Sequence, residues 1–130
     1  MNIIKLICLA LISTVWFFAI KAQADIINCP YQLKCDGQYC EGLPRTFSLD
    51  QSVFYANITF FYFSFAASFG QGTHCIYVNP LLDAISIGSN VYNASLHSPG
   101  NLWYYNYEHK QYECYDNETL CPLDNYPTRK

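Results

Sequence analysis

Val53-Phe54-Tyr55-Ala56-Asn57-Ile58-Thr59-Phe60-Phe61-Tyr62-Phe63-Ser64-Phe65 is the stretch that decides the fold. Aromatic and β-branched side chains dominate it, and these fit a pleated, half-buried surface. Alternation puts Phe54, Ala56, Ile58 and Phe60 on one face and Tyr55, Asn57 and Thr59 on the other. After Phe60 both faces turn apolar, the pattern of a strand covered on both sides or interrupted by a bulge. No charged residue occurs between Gln51 and Thr73, which also raises a membrane-spanning reading. Asn57, Thr59, Ser64 and Ser68 argue against a span and for a strand.

Short segments bounded by turn signals lie to either side. Upstream, Asp36-Gly37 between Cys35 and Cys40 predicts a tight hairpin, and Gly42 and Pro44 mark a further loop. Downstream, Gly70-Gln71-Gly72 is a turn, and Thr73–Val78 is a strand ended by Asn79-Pro80, because proline cannot donate to a ladder. Leu81–Ile87 reads as a short strand or helical turn, Gly88-Ser89-Asn90 as a loop, Val91–Leu96 as a strand and Ser98-Pro99-Gly100 as a break. Leu102–Tyr107 and Gln111–Tyr115 form a last pair of strands around Glu108, His109 and Lys110. No helical period of useful length appears. The expectation is an all-β domain, a small antiparallel β-sandwich or barrel stapled by disulfides.

The beginning of the chain reads differently. Lys5 is followed by an apolar run from Leu6 to Ile20, and Ala22-Gln23-Ala24 places small residues where signal peptidase requires them. Residues 1–24 are therefore expected to be a cleaved signal peptide and residues 25–130 a single domain. The apolar run falls short of the ~20 residues that a spanning helix needs.

Losing Lys5 and Lys21 with the leader leaves Lys34, Arg45, Lys110, Arg129 and Lys130 against all 10 acidic residues, more acidic than the −3 of the whole chain. Such a domain is a poor ligand for nucleic acid or for an anionic membrane surface, and the mature form is not expected to be membrane-embedded. Of the 7 cysteines, Cys8 leaves with the leader, and Cys29, Cys35, Cys40, Cys75, Cys114 and Cys121 remain. An even set in a short exported chain reads as a disulfide framework in a secreted or periplasmic protein. It allows about 15 pairings; Cys35–Cys40 across the turn is one expectation, with the other four tying the termini to the middle. Zinc fits poorly, because only Cys35 and Cys40 have the short spacing of a compact tetrahedral site and no second such pair accompanies them. A His74-activated Cys75 also fits poorly, because strand neighbours point to opposite faces.

The tyrosine-rich hairpin is the most suggestive candidate binding surface: Trp103, Tyr104, Tyr105, Tyr107 and Tyr112, with Tyr115 beyond. A simple reading of the hairpin places Trp103, Tyr105 and Tyr107 on one face and Tyr104 and Tyr112 on the other. Exposed aromatics of this kind stack on sugar rings or anchor protein interfaces; they also stabilise sheets by cross-strand pairing. Glu113, Asp116, Glu118 and Asp124 could offer oxygens to calcium, but in no recognisable loop spacing. His74, His97 and His109 form no metal-binding pair, and neither a nucleophile elbow nor a phosphate-binding glycine loop is present. No metal, cofactor or catalytic residue is expected. Sequons occur at Asn57, Asn93 and Asn117.

The landmarks Cys29-Pro30, Cys35, Cys40, Cys75-Ile76-Tyr77, Ser98-Pro99-Gly100-Asn101-Leu102-Trp103, Cys114 and Cys121-Pro122 run in an order that resembles a family of small uncharacterised secreted cysteine-rich proteins of intracellular Gram-negative bacteria. The resemblance implies export and a β-sandwich, and carries no activity or functional residue. The functional expectation is a secreted or periplasmic, non-enzymatic binding domain for a protein or glycan, directed at a host or at the envelope. A small hydrolase or enzyme inhibitor and a structural envelope protein are the alternatives.

Overall fold

A computed structural model describes residues 26–69, 72–96, 102–115 and 121–125. The leader, the Gly70-Gln71 part of the first turn, the Ser98-Pro99-Gly100 break, the Asn117 sequon and the C-terminal tail lie outside the described residues. The chain forms β1 (Ile26–Asn28), β2 (Gln32–Gly37), β3 (Tyr39–Glu41), β4 (Ser48–Leu49), β5 (Tyr55–Ser68), β6 (Thr73–Val78), β7 (Ala84–Ser89), β8 (Asn93–Ala94), β9 (Tyr104–Asn106), β10 (Gln111–Cys114) and β11 (Pro122–Asp124). There is no helix among the described residues. The fold is all-β, antiparallel and stapled by disulfides: curled sheets form a half-barrel, with a three-stranded sheet, β1-β11-β8, packed against the large one.

β5 is the spine. Its 14 residues carry β2 along the first half of one edge and β10 along the last three residues of that same edge. The opposite edge carries β6, but only from Tyr62 onward. Of the two readings of the broken alternation, a strand covered on both sides or a bulge, the structure has a bulge, at Ser64, where Phe63 pairs with Tyr77 and Phe65 with Ile76. That extra residue shifts the alternation. Before it the odd positions Phe61 and Phe63 face inward; after it the even positions Ala66 and Ser68 do. The core face therefore gathers Leu33, Cys35, Phe61, Phe63, Ala66, Cys75, Tyr77, Ile85 and Ile87 against Cys29, Ala94 and Leu123 of the small-sheet side. The other face of β5, with Phe54, Ile58, Phe60 and Tyr62, is turned to solvent.

Polar contacts join the layers. Ser68 Oγ donates to Gly72 O and accepts from Thr73 Oγ1 and from the Ala94 amide of β8. Asn93 Oδ1 accepts the Gly72 amide at 2.9 Å. The Tyr77 hydroxyl donates to Pro30 O at 2.7 Å, and burial pushes its pKa up.

The disulfides are Cys29–Cys75, Cys35–Cys40 and Cys114–Cys121. The first fastens the small-sheet strand β1 to the large sheet, and the second closes the β2–β3 hairpin as expected. The third closes a local loop of 7 residues in sequence, so the C-terminal cysteines do not tie that end to the middle of the chain. Cys75 is committed to Cys29 while His74 lies on the opposite face, and every cysteine among the described residues is in a disulfide, so among those residues none is a thiol nucleophile or a metal ligand.

Two local expectations change. Asp36 pairs with Tyr39, so the tight turn is Gly37-Gln38 rather than Asp36-Gly37; Gly37 takes φ +61°, which costs glycine little. Gly88 and Ser89 belong to β7 rather than to a loop. A Cβ at 88 would stand 2.6 Å from Asp50 Oδ1 and 2.8 Å from His74 Nδ1, so any side chain there would displace the Asp50–His74 pair.

Candidate functional site

The β9–β10 hairpin sets its faces by turn length. Asn106 pairs with Gln111, so Tyr105 pairs with Tyr112 and Tyr104 with Glu113. Tyr112 thus shares a face with Tyr105, not with Tyr104 as the simple reading had it. The cause is the four-residue turn 107–110, with Lys110 at φ +55°, which shifts the parity by one. Trp103 is buried, in the core cluster, and its indole N–H donates to Pro122 O at 2.7 Å. Tyr105 meets Tyr107 and Tyr112 edge-on at 4.9 and 5.1 Å. Tyr107 is 85% exposed at the hairpin tip.

On the outward face the rings form a ladder. Phe65 of β5 stacks on Tyr115 with centroids 5.0 Å apart and planes 17° apart; Tyr115 stacks on Tyr104 at 6.1 Å and 18°. Tyr104 and Tyr115 are about half exposed. Sequence reading grouped Tyr104 with the hairpin but did not join it to Phe65, because β10 pairing with the end of β5 is a long-range contact.

Glu113 is fully buried beside this ladder. It occupies an outward-facing position opposite Ala67, a small residue that leaves room for it. Its carboxylate accepts from Asn106 Nδ2 at 2.9 and 3.2 Å, from His109 Nδ1 at 2.9 Å and from the Tyr115 hydroxyl at 3.4 Å. Asn106 Oδ1 in turn accepts the amides of Glu108 and His109, shaping the turn. The hydrogen bond to Glu113 raises the His109 pKa above the usual imidazole value. Burial by itself would push Glu113 up; hydrogen bonds from His109, Asn106 and Gln111 outweigh it and hold the carboxyl low. Tyr115 is pushed up, first by burial and then by the Glu113 charge. An asparagine opening a turn, followed by a histidine and a glutamate, was the one local signal that could have pointed to this cluster. Asp124 is also buried, in β11, while Asp116 and Glu118 lie outside the described residues; no group that could hold a metal occurs among the described residues.

A second polar group lies on the outer face of the β6–β7 region. His74 Nδ1 bonds Asp50 Oδ2 at 2.8 Å, the Ser86 hydroxyl donates to the same oxygen, and the Asp50 amide donates to Ser86 O. Phe69 stacks on the imidazole at 5.4 Å. A hydrolytic serine must give its proton to the histidine. Here serine and histidine both bond the aspartate, so the group clamps the β4 end to the sheet and does not activate Ser86.

No protein-family profile matches this chain, and no curated protein or solved structure is significantly similar to it. The three intramolecular disulfides imply an oxidising environment, extracellular or periplasmic. Among the described residues no helix is long and apolar enough to cross a membrane.

Proposed function

We propose that this protein is an exported, non-enzymatic binding module that contacts a protein partner through the ladder Phe65–Tyr115–Tyr104. The observation that carries this reading is the ladder itself: near-parallel rings, the two tyrosines half exposed, on a disulfide-fixed sheet. Tyrosines held rigidly by their neighbours lose little entropy on binding and are enriched among the residues that dominate protein interfaces. The choice of protein over glycan follows from ring geometry. The central ring, Tyr115, is stacked by Phe65 and Tyr104 and its hydroxyl is engaged by Glu113, so it offers its edges, whereas a sugar platform needs a free ring face. Export is supported by the leader-like residues 1–24 and by the disulfides. The resemblance to secreted proteins of intracellular Gram-negative bacteria points the same way and suggests a host-facing or envelope-facing partner.

The test is to probe the disulfide-bonded protein on arrays of extracellular and envelope proteins and on a glycan array, beside Tyr115→Ala and Tyr104→Ala. Protein hits weakened at least tenfold by either variant are expected, since an interface anchor contributes ~2 kcal/mol or more. Hits indifferent to both variants would remove the ladder from the site, and glycan hits alone would overturn the protein reading.

A further inference from the structure

The three disulfides differ in what can reach them. Cys29, Cys75, Cys114 and Cys121 are fully buried, so neither of their bridges presents a sulfur to a reagent in solution. Cys35 is fully buried too, but its partner Cys40 is only half-buried, in a strand whose other residues, Tyr39 and Glu41, are exposed. β3 ends the large sheet: β2 pairs with one side of it, and no described strand pairs with the other. The Cys40 end of the bridge is therefore open to approach from that free edge.

The pairing around this bridge is short and irregular. β3 meets β2 through Lys34 with Glu41, Cys35 with Cys40, and Asp36 with Tyr39. Beyond Cys35 the register of β2 on β5 shifts, and the next pair is Gly37 with Tyr55. We infer that Cys35–Cys40 is a redox-sensitive bridge, opened by an external dithiol reductant while the two buried bridges and the rest of the fold stay in place.

In thiol–disulfide exchange a thiolate must reach one sulfur, so access selects the bridge that reacts. One thiolate of the reductant bonds to Cys40 Sγ; the Cys35–Cys40 bond breaks, and Cys35 leaves with the electron pair and takes up a proton. The second thiolate then attacks the reductant's own sulfur in the mixed disulfide, and Cys40 leaves and is protonated. The bridge gains two electrons and two protons, and the dithiol becomes a disulfide. A bridge spanning 5 residues constrains the unfolded chain less than the others do, so opening it removes little global stability. What it releases is local, the hairpin from Asp36 to Glu41. The tyrosine ladder is spared, because β10 meets β5 at Ala66–Ser68, the opposite end from Tyr55. The hairpin is closed in an oxidising space and open wherever a dithiol reductant reaches the chain.

The test is reduction of the native protein with dithiothreitol, without denaturant, each step quenched with a maleimide and mapped by peptide mass, with hydrogen exchange in parallel. Cys35 and Cys40 are expected to be labelled at reductant concentrations roughly tenfold or more below those that label Cys29, Cys75, Cys114 and Cys121. Exchange should then quicken at Tyr39–Glu41 and stay slow in β6 and β10, and oxidised glutathione should restore the bridge. Cys35→Ala combined with Cys40→Ala should show the fast-exchanging hairpin with no reductant present. Labelling of either buried pair at the same concentration or a lower one overturns the inference. So does a reduced hairpin that exchanges no faster than the bridged one.

Discussion

The two halves of β5 have similar composition and opposite fates. From Tyr62 to Ser68 the strand is paired with β6 on one edge and, on the other, with β2 at Tyr62 and β10 at Ala66–Ser68, and its inward residues pack beneath the small sheet. From Tyr55 to Phe61 its one described neighbour is β2, whose register breaks across Ala56–Ile58, and only Phe61 is fully buried. Phe60 and Phe61 are adjacent and identical, yet one is 41% exposed and the other is inaccessible. Neighbours on the sheet, not the residues themselves, decide which half is core.

Substitution should expose this contrast most strongly in the phenylalanines. Phe63→Ala, which removes a buried ring packed edge-on against Tyr77, should cost ~3–5 kcal/mol in urea unfolding. Phe60→Ala should cost ~0.5 kcal/mol, the usual range for surface changes. Similar losses at both positions would break the comparison.

The disulfides come next. Removing Cys29–Cys75, which spans 46 residues, should cost about 4 kcal/mol by loop entropy, whereas removing Cys35–Cys40, which spans 5, should cost about 2. Each bridge is removed as a pair of alanines and compared by thermal unfolding without reductant. A larger loss from the short hairpin bridge would show that the exposed half matters more than its burial suggests.

The smallest effect is the pH dependence of the Glu113–His109 pair. His109 is raised in the folded state, so its contribution is full below the unfolded value of 6.5 and fades as pH rises through the folded value. Glu113 is lowered, so its contribution is present above its unfolded value of 4.5 and fades as pH falls through the folded one. The pair therefore stabilises most between those two unfolded values. The denaturation midpoint of His109→Gln should fall below that of the unmodified chain inside this window and converge with it at higher pH. An NMR titration of His109 should move toward 6.5 in Glu113→Gln.

Much of this fold was legible in the sequence, for reasons that are local. β5, β6 and the Cys35–Cys40 hairpin each carry their own signal: alternation, a terminating Asn79-Pro80, and a glycine at the turn. The bulge showed as a break in alternation. What stayed hidden depends on distant partners. Nothing within Phe54–Phe60 states that its apolar face points to solvent, because that follows from where β6 stops. The hairpin's parity needed the turn's length, which Glu108-His109-Lys110 does not declare. The candidate site was half legible: Tyr104 was named, while its stacking through Tyr115 to Phe65 depends on β10 meeting the end of β5.

The Cys29–Cys75 bridge also decides how the molecule would respond to being pulled. Ile26 and Asp124 sit side by side in an antiparallel pair, so tension applied there peels β1 from β11 one rung at a time. The covalent line of force then jumps from Cys29 to Cys75 through sulfur. Everything from Pro30 to His74, the whole of β5 included, hangs outside that line as an unloaded loop. The strands after Cys75 would be drawn out while β5 bears no load.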